Sequence, residues 1–144
     1  MAQTTWSGPL ASGDKEAGSI GGANIGLVQL GQSVAISRDA TLVQSGTIVL
    51  PAGAQIVEIY TDVTTPYDSA TSATLTIGTA AGGTQYVTSV NAKTGGRNTT
   101  THTAAQVTAM LNIGTNTNLV ATVTSVGQPT VGAVTVTVQY LQKP

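Results

Sequence analysis

Cysteine is absent from the 144 residues, which excludes disulfides, thiolate metal sites and a cysteine nucleophile. Phenylalanine is absent too, and Trp6 and four tyrosines are the whole aromatic complement, so a core must be built from Val, Ile, Leu and Ala. Small aliphatic side chains of that kind suit thin, closely packed sheets. Charge is scarce: 8% of residues, five Lys plus Arg against six Asp plus Glu, for a net charge of −1. Lys15, Arg38, Lys93, Arg97 and Lys143 are scattered along the chain, so the clustered positive charge that phosphate binding needs is missing and nucleic acid is not an expected partner. The start carries no basic region followed by an apolar run, and no apolar stretch approaches the ~18 residues of a membrane span, so neither secretion by signal peptide nor membrane insertion is expected. One histidine cannot supply a two-His metal motif.

What fills the space is threonine, serine, asparagine, glutamine and 17 glycines, a composition that reads as β-rich and hydroxyl-covered. A nearly uncharged β surface is poorly protected against self-association, which implies that partners cover much of it. The stretch Gly46 to Val90 carries three strand signals in a row. Thr47 to Leu50 and Gln55 to Val63 are strands separated by the turn Pro51-Ala52-Gly53. Within the second, Val57, Ile59, Thr61 and Val63 fall on one face, and Ile56, Glu58, Tyr60 and Asp62 on the other. Leu75 and Ile77 alternate with threonines, and the Ala-Ala-Gly-Gly loop at 80–83 returns the chain into Gln85 to Val90 as a hairpin.

Residues 1–24 have no sustained period and read as an extended arm, up to about 80 Å long at roughly 3.3 Å per residue; residues 25–144 form a single β-sandwich body. Trp6, Pro9, Leu10, Ile20 and Ile25 are apolar residues at or near the arm with no local core to enter, which marks them as partner-binding residues. From Ile25, Val28, Leu30, Val34 and Ile36 share a face, with a bulge or close approach at Gly31. Arg38-Asp39 and Ser45-Gly46 are read as turns, and the polar NAKTGGRNTTTHT segment as a hairpin-tip loop. Thr103 to Leu111 is the one helical candidate, capped by Thr103, with Val107, Met110 and Leu111 at helical spacing. In the last strands Leu119, Ala121 and Val123 alternate with threonine, and Val134, Val136, Val138 and Tyr140 face inward along a central strand. About eight such strands joined by Gly, Pro, Asn and Ser turns define an all-β antiparallel sandwich of jelly-roll type with at most one short helix.

No catalytic constellation emerges. His102 lies in a polar loop with no acid nearby in sequence, and Glu58 and Asp62 are about 13 Å apart by strand rise, too far for a glycosidase pair within one strand, which leaves only a meeting of Glu58 with Asp14 or Asp39 across strands open. Asp62 and Asp68 flank TTPY but match no dense acidic calcium loop. Glycines 18, 21, 22 and 26 lack a following GK[ST], and Asn98-Thr99-Thr100 is a sequon without a secretory signal. Catalytic residues, cofactors and metals are therefore all expected to be absent. A carbohydrate platform would have to draw on Trp6, Tyr60, Tyr67, Tyr86 or Tyr140, with Tyr67 the residue to test.

The residues LPAGAQIVEIYTDVTT and ATLTIGTAAGGTQYVTS, with the amino-terminal TTWSGPLASGDKEAG and ANIGLVQLGQSVAI, cover most of the chain. Together they resemble head-decoration (cement) proteins of tailed bacteriophages, in particular those of marine and cyanobacterial podoviruses. The resemblance implies a non-enzymatic virion protein, made in the host cytoplasm, that forms homotrimers on the outer capsid face near threefold and quasi-threefold axes. It further implies contact with the major capsid protein of adjacent capsomers, stabilising the DNA-filled head. Composition and strand alternation depart from the small lambda-type decoration proteins, so that fold is not carried over. The alternatives are a tail or neck component on the same sandwich, or a carbohydrate-binding module for host attachment.

Overall fold

The computed structural model describes residues 28–115 and 118–142. Eight strands and one helix follow in the order β1 (Val28–Ser37), β2 (Val43–Val49), β3 (Gln55–Thr65), β4 (Ser72–Gly78), β5 (Val87–Asn91), β6 (Gly96–Thr99), α1 (Ala104–Leu111), β7 (Asn118–Val126) and β8 (Ala133–Gln142). The antiparallel pairs β1·β8, β2·β7, β3·β6 and β4·β5 are those of one long ribbon folded on itself. Lateral pairing of β3 with β8 and of β4 with β7 rolls that ribbon into two four-stranded sheets, β1-β8-β3-β6 and β2-β7-β4-β5. This is the double-sheet jelly roll that the strand count implied.

Of the four central strands, β8 is the most regularly patterned. In β8, Val134, Val136, Val138 and Tyr140 are buried while the alternate residues are half-buried, and its register with β1 runs unbroken from Val28↔Gln142 to Ser37↔Ala133. From β7, Leu119, Ala121 and Val123 meet them across the sandwich core, with Ile59, Val63, Leu75 and Ile77. This core is mostly aliphatic, but Tyr67, Tyr86 and Tyr140 are buried in it beside the Val, Ile, Leu and Ala side chains that the lack of phenylalanine led one to expect. α1 has the predicted cap: the Thr103 hydroxyl accepts from the Gln106 N–H, and the Gln106 side chain accepts from the Thr103 N–H.

Five expectations fail for identifiable reasons. Ser45-Gly46 is not a turn but the middle of β2. A Cβ on Gly46 would lie 2.7 Å from Val34 Cγ2, so glycine is what lets this strand close against β1. Gly31 is neither a bulge nor a close approach, since β1 keeps its register and a Cβ there would meet nothing nearer than 4.0 Å. In β3 the alternation changes phase: a bulge between Ile56 and Glu58 places Ile56 in the core and leaves Val57 43% exposed. The polar segment after β5 contains a strand, β6, fixed to β3 by Asp62↔Arg97. Finally, α1 buries Gln106 and Met110, whereas Val107 and Leu111 lie about half exposed on its outer side.

Candidate interaction surface

His102 is a structural residue. Its Nδ1 lies 3.0 Å from the Tyr86 carbonyl, which can only accept, so Nδ1 carries a proton; Nε2 lies 2.9 Å from the Thr100 hydroxyl. Both ring nitrogens are engaged by neutral groups, and among the described residues no carboxylate is hydrogen-bonded to the ring to orient it for general-base work.

The carboxylates are dispersed into separate latches. Asp68 accepts hydrogen bonds from the Thr130 N–H and hydroxyl and from the Val131 N–H, tying the loop after β3 to the β7–β8 loop. The Thr130 hydroxyl, then the two backbone donors, hold its carboxyl below the ordinary range. Asp62 forms a bidentate pair with Arg97 at 2.8 and 3.0 Å, and that guanidinium, also stacked 5.3 Å from the Tyr60 ring centroid, holds the Asp62 carboxyl low. Asp39 is held low chiefly by the Thr41 hydroxyl and backbone N–H. Asp62 and Asp68 therefore face different partners and do not share a loop site. Glu58 stands beside Gln139 in the sheet register. No group of three or more His, Asp or Glu side chains that could hold a metal ion occurs among the described residues. Asp14, Glu16 and the glycines at 18, 21, 22 and 26 lie outside the described residues.

The four tyrosines, the aromatic side chains among the described residues, do not form a sugar platform. Tyr67, Tyr86 and Tyr140 are at most 4% exposed, and Tyr60 is half-buried beneath Arg97. Tyr67, the residue a glycan-binding reading relies on, packs its ring against Gly132 inside the sandwich, so burial removes it from that role.

Apolar surface is what remains. One exposed group, Leu42, Val43 and Val126, gathers where β2 and β7 run together, with the Ser125 N–H donating to the Leu42 carbonyl. The other lines a cleft of about 340 Å³ between α1 and the ends of β3 and β8. Ile56, Val57, Val107, Met110, Leu111 and Leu141 form its walls, with Gln55 and His102 the polar members. The cleft exists because of two features invisible to simple periodicity: the bulge that turns Val57 outward, and a helix that buries glutamine instead of valine. Gln106 is held by donating from Nε2 to the Thr84 carbonyl (3.1 Å) and the Thr88 hydroxyl (2.8 Å), which rotates Val107 to the outside. The expected arm contacts, Trp6, Pro9, Leu10, Ile20 and Ile25, lie outside the described residues.

Fold and surface together define the class: a jelly-roll sandwich with no assembled reactive centre among the described residues and with apolar contact surface. No family model matches the chain, and no curated protein does. Among solved structures it is similar to a chain of the cyanophage Pam1 capsid asymmetric unit, at 20% identity and a TM-score of 0.57, over 99% of this chain and 94% of that one. At that identity the likeness is one of fold, and it runs through the whole length of both chains.

Proposed function

We propose that this protein is a structural virion component that binds the outer surface of a phage capsid and cements adjacent capsomers of the major capsid protein. The observation that carries the reading is the full-length fold likeness to a chain of a cyanophage capsid asymmetric unit. The composition supports it independently: 8% charged residues, exposed aliphatic side chains and isolated carboxylate latches suit a protein whose work is contact.

In this reading the body is a homotrimer. Residues 1–24 form an arm whose Trp6, Pro9, Leu10 and Ile20, together with Ile25 just beyond it, contact the capsid or a neighbouring subunit. Three weak attachments to different capsomers then act as one strong attachment, a gain of ~10²–10⁴ in avidity through effective concentration. No capsomer can move outward without breaking several contacts together.

The test is uptake by shells that lack the protein. Purified chain mixed with such capsids and sedimented should bind in copy numbers on the order of hundreds per particle, and the loaded shells should resist heat better. A few or tens of copies, located at the tail, would instead mark a neck or tail part. Deleting residues 1–24 should leave a folded body with no capsid uptake; undiminished uptake would remove the arm from the contact.

A further inference from the structure

The cleft beside α1 is built like a receptor for one bulky apolar group: six of its eight lining residues are apolar and its volume is about 340 Å³. That is within the ~300–1,000 Å³ typical of side-chain and ligand sites. Two of its wall residues, Val57 and Val107, are 43% and 47% exposed although each is held in place by a defined structural device, the β3 bulge and the buried Gln106.

The position of the cleft identifies an occupant. At the edge of the sheet Gln29 pairs with Leu141, and Leu141 pairs with Gln55, a lining residue of the cleft. Val28, where the described chain begins, therefore lies two strand spacings from the cleft, about 10 Å. The described chain thus begins at the cleft's own end of the sheet, with 27 residues preceding it in sequence. Leu10 is joined to Val28 by residues 11–27, which can span up to about 55 Å when extended, so reach is no obstacle to this copy's cleft or a neighbour's. The segment Trp6-Ser7-Gly8-Pro9-Leu10 brings the chain's one tryptophan, a side chain that buries ~150–250 Å² and carries a single N–H to satisfy. Gln55, with both an amide donor and an acceptor, offers that N–H a polar partner.

We infer that the cleft between α1, β3 and β8 is the docking site for the segment Trp6–Leu10 of this protein, from the same copy or a neighbouring one, with Trp6 seated against Val57 and Val107. The inference does not depend on the capsid reading, and its test needs no capsid.

Because Trp6 is the only tryptophan, intrinsic fluorescence of the full-length protein reports its surroundings without labelling. Native emission should be blue-shifted from that of the same sample in denaturant and shielded from acrylamide. Val107→Glu, and separately Val57→Glu, should each abolish most of that shift while far-UV circular dichroism and the melting temperature stay near those of the parent. Both positions are nearly half solvent-exposed, and the two variants guard against one failing to fold. Dilution then sorts the geometry: a blue shift lost together with oligomer mass means a neighbour's cleft, and one retained by a 14.4 kDa species means the chain's own. Native emission at the denatured wavelength, or a blue shift that survives both substitutions, overturns the inference.

Discussion

Gly132 separates a packing explanation of this fold from a purely topological one. A Cβ placed on it would lie 2.5 Å from both Cγ and Cδ1 of Tyr67 and 2.7 Å from Cδ2, far inside contact distance. Neither side can yield easily. Tyr67 is 1% exposed, and the Gly132 carbonyl is fixed by accepting from the Arg38 N–H at 2.8 Å. Overpacking of this kind costs ~1–3 kcal/mol, and with both walls anchored Gly132→Ala should fall in the upper part, about 2–3 kcal/mol. At ~2–4 °C per kcal/mol for a domain near this size, the melting temperature should drop by about 4–12 °C. Gly53→Ala is the control: its φ of +72° also favours glycine, but nothing lies within 4 Å of the added methyl. Its cost should be the backbone term alone, about 1 kcal/mol. Adding Tyr67→Leu to Gly132→Ala should cost less than the two single changes summed, because the smaller side chain relieves the clash. Calorimetry on the four variants decides the matter. A Gly132→Ala melt within a degree of the parent, or strict additivity with Tyr67→Leu, would refute the reasoning.

Three other outcomes follow from particular groups. The buried Tyr67 hydroxyl has no hydrogen-bond partner among the described residues, whereas that of Tyr140 accepts from Gln32 Nε2 at 3.2 Å. Tyr67→Phe should therefore be neutral or stabilising by about 1 kcal/mol and Tyr140→Phe destabilising by ~0.5–1.5 kcal/mol, a difference in sign that denaturant titration can read. Thr103→Ala removes the hydroxyl of the α1 capping box and should cost about 1 kcal/mol, with amide exchange fastest at the start of the helix; unchanged exchange there would argue against the cap. Stability should also fall at both ends of the pH scale. Asp39, Asp62 and Asp68 have folded pKa values below their ordinary 3.8, so their contribution is present above that pH and lost as pH falls through the lowered values. Burial raises Tyr67 and Tyr86 above 10.0, so their contribution is present below pH 10.0 and lost as pH climbs toward the raised values. A melting-temperature profile with a broad maximum between those limits is expected, and Asp68→Asn should flatten its acid side.

The sequence reading succeeded where a strand is both central and regular. In β8, burial on both flanks enforces strict alternation from Ala133 to Gln142, and nothing in its pairing with β1 interrupts the phase. It failed where a single residue is displaced. Alternation in β3 assigns Val57 to the face of Ile59, yet the bulge sets Val57 outside and Ile56 inside, and no composition cue marks the position. Ser45-Gly46 has the composition of a turn, but its glycine answers a contact made by Val34 and Ile36, which lie on a different sheet. β6 is hidden in a polar run because its partner is polar: Arg97 faces Asp62, and four residues of edge strand need no apolar face.

Those same displacements make the candidate surface. A helix read by apolar spacing should turn Val107 inward with Met110, but Gln106 takes the inner position with its amide satisfied by the Thr84 carbonyl and the Thr88 hydroxyl. A buried amide left unpaired would cost ~1–3 kcal/mol, comparable to what burying one valine side chain contributes, so the bonded glutamine can take the inner position and the valine the outer one. The cleft is thus the joint result of one satisfied polar group and one extra residue in a strand, neither of which carries a period. What the sequence does mark is the other half of the contact proposed for it. Trp6, Pro9 and Leu10 stand out because they are apolar without neighbours, a signal that requires no knowledge of where they go. The two sides of the proposed contact are therefore legible by different routes: the segment from composition, the cleft only from geometry.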